Sequence, residues 1–362
     1  MNDESYIKLT LELAKKGIGS VSPNPLVGAV IIKNDRIIGA GYHEKFGSNH
    51  AEVNAILNAK ESIEDSTLVV NLEPCSHHGK TPPCADRIIE SKIKKVVIGS
   101  VDPNPLVAGN GIKKLKEAGI EVVQNVLNNE CIELNKFFFK FISKGLPYVT
   151  LKIAQTIDSK IADKKYNSKW ITSAESRTFV HNLRTEYDAV LIGSNTVKED
   201  NPSLTVRHVE GRNPKRIILD TNLSLSTKYQ IFNSTNIGEV ILLTSKESKN
   251  KVKKLEKFAQ LGVKVIFCKT NNDGKILLKS ALKKIAKENI ISVMVEGGSK
   301  VFSSFIAEKL FDELIVFVGP KLIGEGICSI SDIGIKSIKR PHKLHLKDVQ
   351  MIGGDAMLNY RV

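Results

Sequence analysis

Tryptophan occurs once in the 362 residues of this chain, at Trp170, and cysteine only five times. So few cysteines, and an odd number of them, exclude a disulfide framework and suit a reducing compartment, the cytoplasm. Cys131, Cys268 and Cys328 stand among apolar neighbours without metal-like spacing and are expected to pack as small hydrophobes. No apolar run approaches the roughly 20 residues of a membrane span. The opening MNDESYIKLTLELAKKG is acidic before it is basic and lacks the basic start and apolar core of an export signal. Neither membrane insertion nor export is expected. There is no low-complexity tract, and 41% hydrophobic with 25% charged residues is an ordinary globular composition. No Gly-x-Gly-x-x-Gly follows a strand pattern, so a dinucleotide-binding domain of that type is not supported.

Acidic residues are outnumbered, leaving a net charge of +14. Such a charge attracts polyanions. The lysines are nevertheless spread singly, and the densest run, Lys249 to Lys257, reads as the solvated face of a helix. A phosphorylated small substrate and a phosphorylated cofactor suit the charge equally well; no nucleic-acid partner is expected.

The length predicts two domains. In the first half a helix is expected near residues 5 to 16, then a hairpin from Val27 to Gly41 turning at Asn34-Asp35, and a helix from about Ala51. Short β-branched runs at 68–72, 95–100 and 121–124 alternate with helical stretches near 84–92 and 111–118. A helix around 129–143 ends at Gly145 and Pro147, which place the boundary between domains 1–145 and 146–362. The second half alternates again, with strand cores YVTLKIA, DAVLIG, RIILD, EVILLT, VKVIF, ISVMVE and ELIVFVG, and helices near 173–185, 249–260, 276–288 and 299–307. Both halves are layered α/β. One short echo, VSPNPLVGAV at 21–30 and VDPNPLVAG at 101–109, sets Asn24 and Asn104 each between two prolines, in stiff loops that either only turn the chain or also grip a ligand.

His50-Ala51-Glu52 opens a helix that Asn49 can cap, and EPCSHHGKTPPC follows. A His-x-Glu coupled to Pro-Cys and a second Cys is a zinc-deaminase signature: one imidazole and two thiolates hold the metal, and the Glu carries protons. Here the ligands are His50, Cys75 and Cys84, and the proton carrier is Glu52. Three protein ligands leave a tetrahedral position for water, whose proton Glu52 can take so that an amino-bearing ring carbon is attacked. Pro83 suits the first helical position, putting Cys84 at a helix N-terminus that favours its thiolate. A closed structural site would need His77 or His78 as fourth ligand and leaves Glu52 unexplained. The eight residues between the cysteines bring donors and a cation to the pocket mouth, suited to a phosphate or sugar.

PNPLVGAV, HAE and EPCSHHGKTPPC together resemble the deaminase half of the bifunctional riboflavin-biosynthesis deaminase/reductase family. LKIAQTIDSKIA, SKWIT, DAVLIGSNTVKEDNPSLTVR, VEGGSKVFSSF and VGPKLIGEG resemble its reductase half, so the likeness covers nearly the whole chain. It implies a cytidine-deaminase-like domain followed by a dihydrofolate-reductase-like domain, with Zn2+ and NADPH as cofactors. It also implies deamination of 2,5-diamino-6-ribosylamino-4(3H)-pyrimidinone 5′-phosphate at ring C2, then reduction of the ribosyl chain to give 5-amino-6-(5-phosphoribitylamino)uracil. The deaminase substrate contacts it implies are Asn24, His43, His77, Lys80, Asp102 and Asn104.

In the reductase half, strand Val293 to Val295 followed by Glu296-Gly297-Gly298-Ser299 reads as strand, glycine turn and helix start. Such a turn either holds a phosphate or only packs tightly. The resemblance favours cofactor contacts at Ala154, Trp170, Thr196, Asp200, Thr221, Gly298, Ser299, Lys300, Val301, Phe302, Ser303 and Ser304. It implies substrate contacts at Ser168, Arg184, Leu204, Arg207 and Glu296, with Lys152 a further candidate near the ribose. Arg184 and Arg207 have the bidentate geometry for the ribose phosphate. Where the family commonly shows Leu-Asp-Gly, this chain has Ile157-Asp158-Ser159.

Two other readings remain open at this point: a zinc-dependent nucleic-acid base deaminase, which leaves the second half unexplained, and a zinc-stabilised RNA-binding module, which requires four ligands. A homo-oligomer joined through the second domain is also expected.

Overall fold

A computed structural model describes residues 2–76, 82–105 and 107–362. The chain forms two compact units, Met1–Leu146 and Pro147–Val362.

The first unit contains α1 (Asp3–Lys15), β1 (Gly28–Lys33), β2 (Arg36–Tyr42), α2 (Ala51–Leu57), β3 (Thr67–Leu72), α3 (Cys84–Glu90), β4 (Lys95–Ser100), α4 (Asn110–Glu117), β5 (Glu121–Val123), α5 (Asn128–Leu134) and α6 (Lys136–Lys144). Asn2 caps α1 by accepting the Ser5 N–H at 3.0 Å, and Asp3 and Glu4 lie at the positive end of its dipole. Asn34 and Asp35 both take left-handed φ, 48° and 58°, the geometry that joins β1 to β2 by a two-residue turn. The sheet order is β2-β1-β3-β4-β5, with β1 antiparallel to both neighbours and β3, β4 and β5 parallel.

Because strand side chains alternate, the strands build two cores. Ala29, Ile31, Leu68, Val70, Val96 and Ile98 meet Ala51 and Ala55 of α2, Ile88 of α3 and Leu115 of α4. Val30, Ile32, Val69 and Val97 meet Tyr6, Ile7 and Leu11 of α1 and Cys131 of α5. Helices therefore cover both faces. A β-carbon added to Gly41 would lie 2.4 Å from the Ala55 nitrogen, so α2 rests directly on β2 and its N-terminus is fixed at the sheet's edge.

The helix expected at 129–143 is divided at Asn135, which is buried and turns its side chain to Leu26, accepting the Leu26 N–H at 2.7 Å and donating to its carbonyl at 2.9 Å. The polar side chain that ties a distant loop is the one that interrupts the helix.

The second unit contains β6 (Tyr148–Thr156), β7 (Lys160–Asp163), α7 (Ala174–Glu186), β8 (Ala189–Gly193), α8 (Ser194–Asp200), β9 (Lys215–Leu219), β10 (Val240–Ser245), α9 (Val252–Gln260), β11 (Lys264–Cys268), α10 (Leu278–Ala286), β12 (Ser292–Gly297), α11 (Ser299–Ala307), β13 (Glu313–Gly319), β14 (Gly326–Cys328), β15 (His345–Ile352) and β16 (Asp355–Arg361). Seven strands are parallel in the order β11-β10-β9-β8-β12-β6-β13, and the antiparallel pair β16-β15 extends that edge. The strands β8, β12 and β6, adjacent in space but distant in sequence, end together at Gly193, Gly297 and Thr156. Open parallel sheets bind ligands at the carboxyl ends of strands where the order reverses in this way. No helix among the described residues is long and apolar enough to cross a membrane.

Of the cysteines expected to pack inside, Cys131 and Cys268 are buried, whereas Cys328 is exposed beside the Lys160 ammonium. It sits on the two-stranded β7–β14 sheet, outside the core.

Candidate active sites

In the first unit, the segment following β3 carries Cys75 to the N-termini of α2 and α3. His50, not Asn49, occupies the cap position of α2 and makes no side-chain cap bond, because its imidazole turns toward two sulfurs. His50 Nδ1 lies 3.6 Å from Cys75 Sγ and 3.3 Å from Cys84 Sγ, and all three donor atoms fall within 4.8 Å of one another. A tetrahedral zinc with two thiolates and an imidazole separates S from N by about 3.6 Å, so the donor set fits that ion. Among the described residues the group has three members; His77, His78 and Lys80 lie outside them.

Cys84 is the first residue of α3, and Pro83 is its cap rather than its opening residue. The N-terminus of α3 acts on Cys75: the Cys84 N–H donates to Cys75 Sγ at 3.3 Å. Hydrogen bonding from the Cys84 thiol, with help from His50, pulls the Cys75 thiol down to about 4. Cys84 itself is pushed up by that same bond and by burial. The α3 N-terminus thus donates an N–H to Cys75 while carrying Cys84 as its own first residue. Glu52 stands in the first turn of α2, 4% exposed, and burial raises its pKa.

The first Pro-Asn-Pro loop borders this group. His43 Nδ1 lies 2.9 Å from the Asn49 carbonyl, which can only accept, so Nδ1 carries the proton. Nε2 is left to accept from Asn24 Nδ2 at 3.1 Å. Burial lowers the His43 pKa and favours this neutral form. In the second loop Asp102 is buried, and its carboxylate accepts the Asn104 N–H at 2.8 Å.

In the second unit, Glu296 ends β12 and meets Arg184 of α7 in a bidentate pair, with Nε–Oε1 at 2.6 Å and Nη2–Oε2 at 2.8 Å. Arg184 Nη1 donates to the Thr205 carbonyl at 3.0 Å. Lys152 Nζ on β6 lies 3.9 Å from Glu296 Oε2, and burial lowers its pKa. The Arg207 N–H donates to Nδ1 of the buried His181 at 3.2 Å, while its guanidinium reaches the Ser203 and Thr205 hydroxyls. Leu204 is buried and holds φ at 55°, a left-handed conformation unfavourable for a γ-branched side chain.

Beside this cluster, Ser168 Oγ donates to Asp200 Oδ1 at 2.9 Å. The Thr196 hydroxyl would stand 3.0 Å from a β-carbon on Gly297 and 3.2 Å from one on Gly298, whose φ is 84°. Glycine is needed at 298 for conformation and at 297 for space, so the main chain enters α11 pressed against α8. The first N–H groups of α11 have no carbonyl within the helix to bind, which suits a phosphate. Trp170 is 60% exposed under the Arg177 guanidinium at 4.3 Å, outside the core.

Comparisons with known proteins identify the family of each half. Residues 1–100 match the cytidine and deoxycytidylate deaminase zinc-binding region, and residues 147–358 match the RibD C-terminal domain. The riboflavin biosynthesis protein RibD of Aquifex aeolicus is 47% identical over 99% of this chain and 98% of its own length. The chain belongs to the RibD family of riboflavin-biosynthesis proteins. Two solved structures are similar throughout. The diaminohydroxyphosphoribosylaminopyrimidine deaminase/5-amino-6-(5-phosphoribosylamino)uracil reductase of Thermotoga maritima is 42% identical with TM-score 0.88, covering 99% of this chain and 98% of the other. RibD of Acinetobacter baumannii is 35% identical with TM-score 0.89 and the same coverage.

This RibD-family chain is thus a bifunctional enzyme of riboflavin biosynthesis, a zinc-type cytidine-deaminase-like fold followed by an NADPH-using, dihydrofolate-reductase-like fold. Ser159 takes φ 62°, a left-handed conformation. Its turn is held by the Lys160 N–H on Thr156 Oγ1 at 2.9 Å and the Ser329 N–H on the Ser159 carbonyl at 2.9 Å. Thr221 is anchored through its carbonyl by the Ser245 N–H at 2.9 Å. Ala154 lies on β6 opposite Phe317, and Lys300 and Ser304 share the first turns of α11 with the buried Phe302 and Ser303. Sequence reasoning passed over Asn71, Glu73 and His181, which contact the loops of the two sites. Only the position of Glu73 beside Pro74-Cys75 could have drawn notice.

Proposed function

We propose that the first unit deaminates 2,5-diamino-6-ribosylamino-4(3H)-pyrimidinone 5′-phosphate at ring C2, and that the second reduces the product's ribosyl chain with NADPH to 5-amino-6-(5-phosphoribitylamino)uracil. The observation that carries this reading is the trio of His50, Cys75 and Cys84 with a buried carboxylate, Glu52, set against it but outside the donor set. A structural zinc site has no use for that carboxylate.

His50, Cys75 and Cys84 would hold the zinc, which when bound supplies a Lewis acid that makes water a nucleophile at neutral pH. Glu52 takes the water's proton and returns protons to the ring nitrogen and the departing ammonia. Its raised pKa suits a group that must both accept and donate. Asn24, neutral His43, Asp102 and Asn104 are the contacts to the ring in this reading, and His77 and Lys80, outside the described residues, are its contacts to the polar end of the substrate.

NADPH, when bound in the second unit, would supply the hydride for reduction of the ribosyl chain. The α11 start from Gly298 to Ser304 would hold cofactor phosphate, and Thr196, Asp200, Thr221, Ala154 and Trp170 would be its further contacts. Arg207 and Ser168 bind the substrate phosphate end, beside the backbone of Leu204. Arg184 acts mainly by holding Glu296, since its fork is already engaged there. Lys152, buried beside Glu296, stands near the ribose.

Incubation with this pyrimidine phosphate, zinc and NADPH, with ammonia and NADPH followed separately, tests the order. Ammonia release preceding NADPH oxidation is expected; oxidation without prior ammonia release would overturn it.

The second unit also supports self-association. Leu346, Val349 and Met351 on the edge strand β15 are 55%, 52% and 71% exposed, on the face that they share with Leu358 and Tyr360 of β16. A homo-oligomer covering that face is expected in sedimentation; monomer alone would reject it. Free cysteines in a chain this long suit the cytoplasm as its compartment.

A further inference from the structure

We infer that Glu73 is a positioning residue of the deaminase site, which sets the second Pro-Asn-Pro loop in register with the metal-binding cysteine two residues later. Its side chain is 3% exposed, and both oxygens are engaged by main-chain donors. Oε2 accepts the Asp102 N–H at 3.2 Å and the Gly109 N–H at 3.0 Å, and Oε1 accepts the Ile112 N–H at 3.2 Å. These donors stand at the two ends of the loop that carries Asn104, and at the first turn of α4, whose dipole also favours a carboxylate there.

Packing independently fixes the same register. A β-carbon on Gly111 would lie 2.1 Å from the Pro74 carbonyl oxygen and 3.2 Å from Glu73 Oε1, so the first turn of α4 presses on Glu73-Pro74 itself. Asn71, fully buried on the same strand, does the equivalent for the first loop. It accepts the Gly28 N–H at 2.8 Å and donates to the Leu26 carbonyl at 3.0 Å. Within five residues of chain, Asn71 sets one Pro-Asn-Pro loop, Glu73 the other, and Cys75 the metal.

A leucine at 73 would fill the space without the cost of burying a charge, but would strand three N–H groups. Glutamine, the same shape, offers one oxygen and turns an NH2 group toward a donor. The inference rests on the reading that Asp102 and Asn104 face the deaminase substrate.

The test is steady-state deamination by full-length, zinc-loaded Glu73→Gln, with zinc content and reductase activity measured alongside. Expected are a KM raised about tenfold or more with a smaller fall in kcat, one zinc retained, and unchanged reduction of the deaminated intermediate. Glu73→Asp, which keeps the charge, is expected to raise KM less, and serves if the glutamine variant does not fold. An unchanged KM in the folded variants, or a loss of zinc in step with activity, would overturn the inference. Asn104→Ala separates the two levels. If it leaves KM unchanged, the loop does not face substrate and the underlying reading fails; if it raises KM while Glu73→Gln does not, the role of Glu73 alone fails.

Discussion

Arg184 and Glu296, 112 residues apart in sequence, close on each other through two parallel hydrogen bonds of 2.6 and 2.8 Å, with side chains only 10% and 6% exposed. The guanidinium fork that would suit a phosphate is thereby committed to a carboxylate at the end of β12. Burial alone would raise the Glu296 pKa, but Arg184 and Lys152 draw it down to about 2. Glu296→Ala should leave both cations buried without their partner, costing roughly 3–5 kcal/mol. Denaturant unfolding of the variant, compared with Arg184→Ala and the double variant, measures this. Strictly additive losses would show that the pair does not act as a unit.

Glu52→Gln should keep one zinc, because the ligands are His50, Cys75 and Cys84. Ammonia release should fall by about two to four orders of magnitude, the usual contribution of a positioned proton carrier. NADPH oxidation with the deaminated intermediate should not change. Metal analysis and the two assays together decide it; loss of zinc from the variant would make Glu52 a ligand instead.

Arg207→Ala should impair NADPH-dependent reduction chiefly through KM, by about ten- to a hundredfold for a lost charge-assisted contact, and leave deamination intact. A fall of both activities in folded protein would contradict separate sites.

Chelation of zinc should abolish ammonia release while NADPH oxidation with the deaminated intermediate continues, and added Zn2+ should restore the first activity. Cys75→Ser should behave as the chelated enzyme does.

Stability should decline with acid below about pH 6.5. Burial lowers the His181 pKa to about 4, with Arg184, His208 and Arg207 adding to the effect and Glu296 opposing it. The unfolded chain therefore binds a proton that the folded one refuses between these values, and stability falls as pH drops through that window. Glu296, depressed to about 2, contributes stability that is present above its ordinary value near 4.5 and lost below it. Unfolding free energy measured from pH 7 to pH 4 should decrease steadily, and His181→Asn, whose Oδ1 can accept the Arg207 N–H without titrating, should flatten the upper part of the slope.

Local pattern was enough for much of this protein. Alternating β-branched runs mark the parallel strands because both faces of those strands are buried, and the Asn34-Asp35 turn is legible because only such residues readily take two left-handed conformations. The zinc donors are legible because His50 with Glu52, and Cys75 with Cys84, keep a spacing that the chemistry demands. The C-terminal hairpin β15–β16 escaped notice: Lys347, Asp348 and Gln350 interrupt its apolar residues, and its outer strand is exposed. Other features belong to the tertiary structure alone. Asn135 ends a helix in order to bind Leu26, Glu73 gathers N–H groups from 29 to 39 residues away, and the α3 terminus donates its first N–H to Cys75. Each depends on where the folded backbone directs a donor or acceptor, and periodicity records only which face a side chain takes, not which distant group it meets.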